Sequence, residues 1–540
     1  MRAKACTRCR QWKVGCDANT SGAQGCTRCR EHGLPCVFDR TFQRTAKRRT
    51  LAEMQNELAE LRKIARLDSG ATMDNATAKS ASPTLTPDIF PSSAVGSSST
   101  GQMAAPITFE PGLQDLCITD KYIDDLHLGA SHVDELFRIY FTRCHPYLPF
   151  VMCRSIETIY QRSPILFWVV CAVASSEMAR LPFERPIRGL IADVLDPSKG
   201  NTVETVQAIL ILCMWPFPFA NQETDSSFIY SGIATQISLS IGLHRPAIDA
   251  GFQNGACTGV TDEDIRRTTW LACFIVAQIQ ASRRGVPATV LADYSLLSSF
   301  DNPGVPQELS HLCYISHLTV EAAQALGACG SNTTGLVEPS ARISLINVFG
   351  QQFDDIRRLR FPKPSENVEI FFLGSRLQMW SFAIHNDVPV SANTVQIISQ
   401  AREDAVRLIQ VACEKNMSLM PFYYRRSVCY AALLLYRIKL GPYKWQDDMI
   451  DHHVERARQA LSACKSPNLG QFLDKVMSPE NRYAFTCASG DKESPHRSRM
   501  AAFLPFDFLK VCRDLQQASV LLSSEFLDLD NLPWTEFQYG

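Results

Sequence analysis

The chain has 540 residues, of which 46% are hydrophobic, and its formal net charge is −1. This length allows a substantial core and more than one folding unit. Its apolar runs fall short of the roughly 20 residues that a membrane-spanning helix needs, and the N-terminus lacks the apolar core of a signal peptide. We therefore expect an intracellular protein without a membrane partner, where structural disulfides are unfavourable.

Charge is distributed very unevenly along the chain. Residues 1–50 contain twelve Lys or Arg and three acidic residues, a net charge of +9, and the remainder carries −10. A basic head on an acidic body predicts a polyanionic partner for the head, either nucleic acid or an anionic membrane surface.

Six of the twenty cysteines lie in two related strings, "CTRCRQWKVGC" (6–16) and "CTRCREHGLPC" (26–36). In a reducing compartment this spacing favours metal over the alternative, a three-disulfide knot. A single zinc ion would leave two of the six thiols without a metal, and it would not explain why the cysteine pattern is repeated. Two tetrahedral zinc ions need eight ligand places, which six thiolates fill only if two sulfurs bridge. The repeat therefore predicts two half-sites that share two sulfurs, and the scattered cysteines from Cys117 to Cys512 are expected to be buried free thiols.

The segments that follow the cysteines change composition twice. A basic run, "VFDRTFQRTAKRRT", suits DNA phosphates and nuclear import receptors. Residues 51–67 place Leu or Met at coiled-coil spacing, which predicts a short dimerisation helix; an amphipathic helix packed on the body is the alternative. Residues 68–119 begin with a stretch rich in Ser, Thr, Ala, Pro and Gly, which predicts a disordered linker.

The cysteine pattern resembles the fungal Zn(II)2-Cys6 binuclear zinc cluster, the DNA-binding domain of fungal transcription regulators. The resemblance implies two zinc ions per chain, with Cys6 and Cys26 as the bridging thiolates. It also implies that each remaining pair of cysteines completes one tetrahedron, Cys9 and Cys16 in one case and Cys29 and Cys36 in the other.

The resemblance also implies contacts with double-stranded DNA. Lys13 matches the family lysine that enters the major groove at a CGG triplet, where guanine presents acceptors, and Arg10 matches a phosphate-contacting position. Trp12, Gly15 and the proline-free loop 17–25 depart from the family pattern, and Trp12 is expected to pack rather than to contact bases. The alternative for Lys13 is a solvated charge. Seven other basic residues of the head are further predicted DNA contacts, namely Arg8, Arg28, Arg30, Arg44, Lys47, Arg48 and Arg49.

Long helical patterns dominate from residue 120 onward. In 225–246, Asp225 can cap a helix, isoleucines recur every four residues from Ile229, and Gly242 supplies a stop. Residues 268–287 end similarly at a Gly and a Pro. Strings such as "CHPYLPF" and "YSGIATQISLSIGLHRP" resemble the middle region of fungal-specific transcription factors, which implies a regulatory role and, as in some members, a small-molecule effector.

Two further patterns concern function. Residues 515–540 interleave acidic and bulky apolar residues, which is typical of an activation segment that binds coactivators; docking on the body is the alternative. "DDMID" (447–451) matches a magnesium–diphosphate string, with carboxylates at Asp447, Asp448 and Asp451, but an acidic helix start explains it more simply. No other catalytic motif is present in the sequence, so we do not expect an enzyme.

Together these patterns predict a mostly α protein and a nuclear, sequence-specific transcription regulator. The regulator is expected to be an activator that recognises CGG-type triplets as a homodimer. Alternatives are a zinc-stapled protein-interaction module and an all-α enzyme with a zinc head. The predicted domains are a zinc cluster (1–40), a basic linker (41–50), the coiled-coil helix (51–67), the linker (68–119), an all-α regulatory domain (120–514) and the acidic tail (515–540).

Overall fold

The computed structural model describes the chain in separate stretches. They are residues 5–7, 9, 14–17, 25–32, 35–38, 113–196, 198, 200–219, 224–246, 261–442, 448–464, 469–478, 498 and 500–510. The predicted coiled-coil helix, the linker up to residue 112 and the acidic tail lie outside these stretches. The chain divides into two compact units, Met1–Gly101 and Gln102–Gly540, each with its own interior.

The N-terminal unit contains a short helix, α1 (Thr27–Glu31), and an interior of cysteines. The helix begins at Cys26, whose Sγ accepts a hydrogen bond from the backbone N–H of Cys29. A sulfur thus takes the place of the oxygen that usually caps a helix N-terminus. The second repeat of the cysteine pattern therefore folds as a capped helical turn.

The second unit is mostly helical, as the sequence predicted. The exception within its described residues is a small antiparallel hairpin of β1 (Lys121–Ile123) and β2 (Leu126–Leu128), in which Lys121 lies opposite Leu128. The turn contains Asp124 at φ 47°, a left-handed conformation that Asp tolerates better than most residues. The sequence analysis did not predict these strands, because each is too short to show an alternation of apolar and polar residues.

The second unit contains the following helices, in chain order. They are α2 (Ala130–Ile139), α3 (Ile156–Arg162), α4 (Pro164–Ala174), α5 (Leu181–Val194), α6 (Val203–Met214), α7 (Ser227–Ser240), α8 (Asp262–Arg284), α9 (Tyr294–Ser299), α10 (Gln307–Gly327), α11 (Pro339–Arg360), α12 (Glu366–Trp380), α13 (Ala392–Ala412), α14 (Phe422–Leu440), α15 (Asp448–Ser462) and α16 (Leu469–Val476). A π-helical turn (Tyr140–Cys144), 3₁₀ turns (His145–Tyr147, Ser381–Ile384, Met500–Ala502) and helical residues 503–510 are also described. No helix in the described part of the chain is both long and apolar enough to cross a membrane.

Several helices run through the interior of this unit with nearly every side chain covered. In α12 every residue from Val368 to Trp380 is buried, because α10, α13 and α14 pack around it. Helices α6, α8 and α14 are buried in the same way. Such helices show little amphipathic pattern, since apolar residues face neighbours on all sides.

Helix α7 confirms a helix predicted from the sequence, but its buried face differs from the isoleucine row. Ile229 is 62% exposed, whereas Ser231, Thr235 and Ser238 are buried against α6 and α8. Small side chains on this face allow the helix backbones to approach closely. The predicted stop is confirmed, because Gly242 follows the helix at φ 75°.

Helix α8 ends as predicted and starts earlier than the predicted segment. Gly285 caps its C-terminus at φ 68°, in the left-handed conformation that glycine adopts at little cost. At the other end Thr261 accepts a hydrogen bond of 3.1 Å from the backbone N–H of Asp264. Three acidic residues in the first turn then complement the helix dipole.

A buried ion pair links α8 to the start of α7. The carboxylate of Asp225 accepts a hydrogen bond from the guanidinium of Arg283, and both side chains are almost fully buried. Asp225 also accepts a hydrogen bond of 3.0 Å from the backbone N–H of Ser227, although the N-cap residue of α7 is Ser226 and not Asp225 as predicted. The Arg283 guanidinium lies over the ring of Phe422, on α14. Breaking such a pair from one side would leave an uncompensated buried charge.

Candidate metal centre

The structure brings the thiols of all six N-terminal cysteines together. They form two overlapping groups, and within each group the four sulfur atoms lie within 4.8 Å of one another. One group is Cys6, Cys9, Cys16 and Cys26, and the other is Cys6, Cys26, Cys29 and Cys36. Cys6 and Cys26 occur in both, which is the arrangement expected of bridging ligands.

Distances between sulfurs test whether zinc fits. Zinc–thiolate bonds of about 2.3 Å place two ligands of a regular tetrahedron about 3.8 Å apart. The sulfurs of Cys6 and Cys29 are 3.8 Å apart, as are those of Cys9 and Cys26. Each pair joins one shared cysteine to one unshared cysteine. The spacing therefore fits a tetrahedral zinc site in each half, with the six thiolates as the residues that would hold two ions.

Hydrogen bonds around the sulfurs repeat between the two halves. The backbone N–H of Cys9 donates to the sulfur of Cys6 at 3.4 Å, and the N–H of Cys29 donates to Cys26 at the same distance. A second such pair joins Cys6 N to Cys16 Sγ at 3.5 Å and Cys26 N to Cys36 Sγ at 3.3 Å. The repeated eleven-residue pattern in the sequence thus appears as a repeated bonding pattern in space.

The two shared thiols ionise most readily. Burial opposes ionisation of Cys6, but hydrogen bonds from the backbone N–H of Cys9 and from neighbouring thiols lower its pKa to about 6. The backbone N–H of Cys29 lowers the pKa of Cys26. Burial instead raises the pKa of Cys9, and it raises that of Cys29 to about 12. Because metal ligation requires thiolate, the local structure favours the ligand form at the two shared positions.

Two supports of this site were not predicted from the sequence. Gly25 has φ 79°, and a Cβ at this position would lie 2.8 Å from the Cβ of Cys36. Asp17 accepts hydrogen bonds from the backbone N–H of Thr27, at 3.0 Å, and from its hydroxyl, which ties the loop after Cys16 to the start of α1. A Gly directly before the fourth cysteine was the available signal for the first contact. The second has no signature in the sequence, because Asp17 is one of several polar residues in its loop.

The predicted DNA-contacting residues are only partly described. Arg28 and Arg30 lie on α1 with exposed side chains, on either side of the buried Cys29. The other predicted contacts lie outside the described residues, namely Arg8, Arg10, Lys13, Arg44, Lys47, Arg48 and Arg49. The repeat "CTRCR" makes Arg28 and Arg30 the counterparts of Arg8 and Arg10.

The aspartate string near α15 forms a helix start. Helix α15 begins at Asp448, and the carboxylate of Asp451 is paired with the ammonium group of Lys439. Asp447 and the side chain of Asp448 lie outside what the structure describes. Among the described residues, the groups arranged to hold a metal are those of the N-terminal cysteines.

Comparison with known families agrees with this geometry. Residues 4–45 match the fungal Zn(2)-Cys(6) binuclear cluster domain, and residues 137–301 match the fungal specific transcription factor domain. The chain thus matches, in two separate segments, a zinc-cluster domain and a transcription factor domain that are both described from fungi. This cluster domain binds two zinc ions, and the six cysteines of the chain are arranged accordingly.

Curated relatives of this chain are transcription factors rather than enzymes. The chain is 25% identical over 516 residues to Transcriptional regulatory protein SEF1 of Candida albicans, covering 85% of this chain and 55% of that protein. It is 26% identical over 423 residues to Regulatory protein LEU3 of Saccharomyces cerevisiae, covering 66% and 47% respectively. The chain therefore spans about half the length of these relatives. No solved structure matches it.

Proposed function

We propose that this protein is a nuclear regulator of transcription that binds double-stranded DNA at CGG-type triplets. The observation that carries the proposal is the pair of overlapping four-sulfur groups, which fits the fold of a DNA-binding zinc cluster. Two zinc ions and six thiolates sum to a charge of −2, so the metal-loaded head keeps a net charge of about +7. That charge suits a phosphate backbone.

Within the head, we propose different residues for binding metal, for contacting phosphates and for contacting bases. Cys6 and Cys26 bridge the two zinc ions, and the remaining four cysteines complete the tetrahedra. The exposed positions of Arg28 and Arg30 on α1 suit phosphate contacts, and Arg8 and Arg10 are their counterparts in the sequence repeat. Lys13 donates to guanine acceptors in the major groove. Arg44, Lys47, Arg48 and Arg49 follow the backbone beyond the cluster.

The proposal extends to assembly and output. The helix predicted from the sequence of residues 51–67 joins two chains into a homodimer, so that two clusters read two triplets at one spacing. The acidic and aromatic segment 515–540 recruits coactivators, which makes the protein an activator. The names of the relatives support a regulatory role, since SEF1 of Candida albicans is a transcriptional regulatory protein and LEU3 is a regulatory protein.

Two substitutions separate metal binding from base recognition. Cys16→Ser removes a ligand, so the zinc-free head unfolds and DNA binding is abolished. Lys13→Ala keeps both zinc ions but weakens binding to a CGG duplex by about 1–3 kcal/mol relative to a scrambled duplex. The control is Lys363→Ala, which removes an exposed lysine from the helical body. Titration of fluorescent duplexes, alongside zinc determination, measures both effects.

One result would remove Lys13 from the recognition step. If Lys13→Ala binds the CGG and scrambled duplexes with the same ratio of affinities as the parent protein, then another residue reads the triplet. If the zinc-loaded parent itself shows no preference for CGG, the proposed specificity is wrong, and the zinc-stapled interaction module becomes the better description.

A further inference from the structure

Two crossed contacts join the two repeats of the cysteine pattern, and we call each of them a clasp. In the Val37 clasp, the backbone N–H and the hydroxyl of Thr7 both donate to the carbonyl oxygen of Val37, at 2.9 Å and 3.1 Å. In the Asp17 clasp, the backbone N–H of Thr27 donates to the carboxylate of Asp17 at 3.0 Å, and the Thr27 hydroxyl donates to the same carboxylate. Each clasp therefore links the start of one repeat to the residue that follows the end of the other.

The two clasps occupy equivalent positions in the repeated sequence. Thr7 and Thr27 each follow the first cysteine of a repeat, and Asp17 and Val37 each follow the last cysteine. Exchange of the two repeats therefore converts one clasp into the other. The same exchange relates the two pairs of sulfurs that lie 3.8 Å apart. The clasps are thus part of the twofold pattern of the metal centre rather than a contact of one loop.

Each clasp restrains the residue next to one of the more exposed cysteines. Cys16 and Cys36 are partly exposed, whereas the other four cysteines of the cluster are at most 3% exposed. A thiolate that solutes can reach is the one most open to alkylation or to competition from a chelator. Asp17 is bonded to Cys16, and Val37 is bonded to Cys36. Hydrogen bonds to these two residues therefore limit the movement of the adjacent sulfur away from the cluster.

The two clasps differ in the chemistry of their acceptors. Asp17 accepts with a charged side-chain carboxylate, whereas Val37 accepts with a neutral backbone carbonyl. Hydrogen bonds to charged acceptors are the stronger kind. We therefore expect the Asp17 clasp to restrain its cysteine more strongly than the Val37 clasp does. Because the donor in each clasp is a threonine, removal of one hydroxyl weakens one clasp and leaves the other intact.

We propose that Thr27 and Thr7 are positioning residues of the metal centre. Through the Asp17 clasp, Thr27 keeps Cys16 in place as a zinc ligand, and through the Val37 clasp, Thr7 keeps Cys36 in place. Each threonine thereby controls how fast a ligand of the other repeat detaches. The proposal rests on zinc binding by the six cysteines and not on DNA recognition, so this proposal and the proposed function can fail independently.

The test is pulsed alkylation of the zinc-loaded full chain with N-ethylmaleimide in the presence of a chelator. Tandem mass spectrometry then gives the rate at which each cysteine of the cluster is modified. Thr27→Val keeps the shape of the side chain but removes its hydroxyl, so Cys16 is expected to react roughly 3- to 10-fold faster while Cys36 reacts at the parent rate. In Thr7→Val, Cys36 is expected to react roughly 2- to 5-fold faster while Cys16 reacts at the parent rate.

Two further variants separate the restraint of one ligand from the stability of the whole head. Thr27→Ser restores a hydroxyl donor, so Cys16 is expected to react at nearly the parent rate. Asp17→Asn removes the charge from the acceptor at similar size, so it is expected to accelerate the reaction of Cys16 alone. This variant tests the same clasp if Thr27→Val fails to load two zinc ions.

Two results would overturn the proposal. Equal acceleration of Cys16 and Cys36 in each variant would show that the threonines stabilise the whole head rather than one ligand each. A parent rate for Cys16 in zinc-loaded Thr27→Val would show that the Asp17 clasp does not hold this ligand.

Discussion

Replacement of Gly25 by Ala tests the geometry of the metal centre at the point of closest approach between its parts. The new Cβ would lie 2.8 Å from the Cβ of Cys36 and 3.5 Å from its sulfur. Cys36 belongs to the second group of four sulfurs. Gly25→Ala is therefore expected to displace one zinc ligand without removing it.

The size of the effect follows from two costs. A residue with a Cβ loses about 1–2 kcal/mol in the left-handed conformation at φ 79°. The contact with Cys36 adds the usual cost of overpacking, about 1–3 kcal/mol, because a Cβ fixed to the backbone cannot move aside freely. Since a head of this size folds only with zinc, both costs appear as lost zinc affinity. The sum of about 2–5 kcal/mol corresponds to roughly 30- to 3000-fold weaker binding.

A chelator competition measures this loss, with zinc release followed against a coloured chelator of known affinity. Gly15→Ala is the matched control, because Gly15 directly precedes Cys16 and a Cβ there meets no atom within 4 Å. The control is expected to bind zinc as the parent chain does. Zinc affinity of Gly25→Ala within threefold of Gly15→Ala would refute the proposed packing around Cys36.

Two further predictions concern the helical body. In Gly350→Ala the new Cβ would lie 2.6 Å from the ring of Trp380, so the free energy of unfolding is expected to fall by about 1–3 kcal/mol. In the control Gly232→Ala the new Cβ meets no atom within 4 Å, so the free energy of unfolding is expected to rise by up to about 1 kcal/mol. Urea unfolding measures both, and equal effects would contradict the packing. Burial lowers the pKa of His145 to about 3, so the unfolded chain binds more protons between that value and about 6.5, and stability is lost as pH falls through this window. At pH 5 the loss in the free energy of unfolding is about 2 kcal/mol. His145→Gln is expected to remove this loss, whereas the exposed control His132→Gln is not. An unchanged pH dependence in His145→Gln would contradict the buried neutral state.

The predictions from the sequence were most successful at positions where few other residue types could do the same structural or chemical job. Six cysteines at repeated spacing have few uses in a reducing compartment, so the two-zinc arrangement could be inferred before any geometry was known. Gly242 and Gly285 marked helix ends correctly, because their left-handed conformations favour glycine. These signals are local, and each depends on one residue type.

The remaining features depend on contacts between residues that are distant in sequence. The buried face of α7, which packs against α6 and α8, contains the small residues Ser231 and Thr235 beside Ile237, whereas Ile229 of the isoleucine row is exposed. The pairing of Asp225 with Arg283 joins the segment just before α7 to α8, across 58 positions of the chain. Periodicity predicts that a helix forms, but it does not identify the neighbours on each face.

A selection from random DNA decides whether the head binds DNA in a zinc-dependent and sequence-specific way. The zinc-loaded chain is incubated with a pool of random duplexes, the bound fraction is sequenced, and the selection is repeated with a chelator. We predict enrichment of paired CGG triplets at one fixed spacing, with all enrichment lost in the chelator. A folded, zinc-bound protein that enriches no sequence would show that the proposed function is wrong.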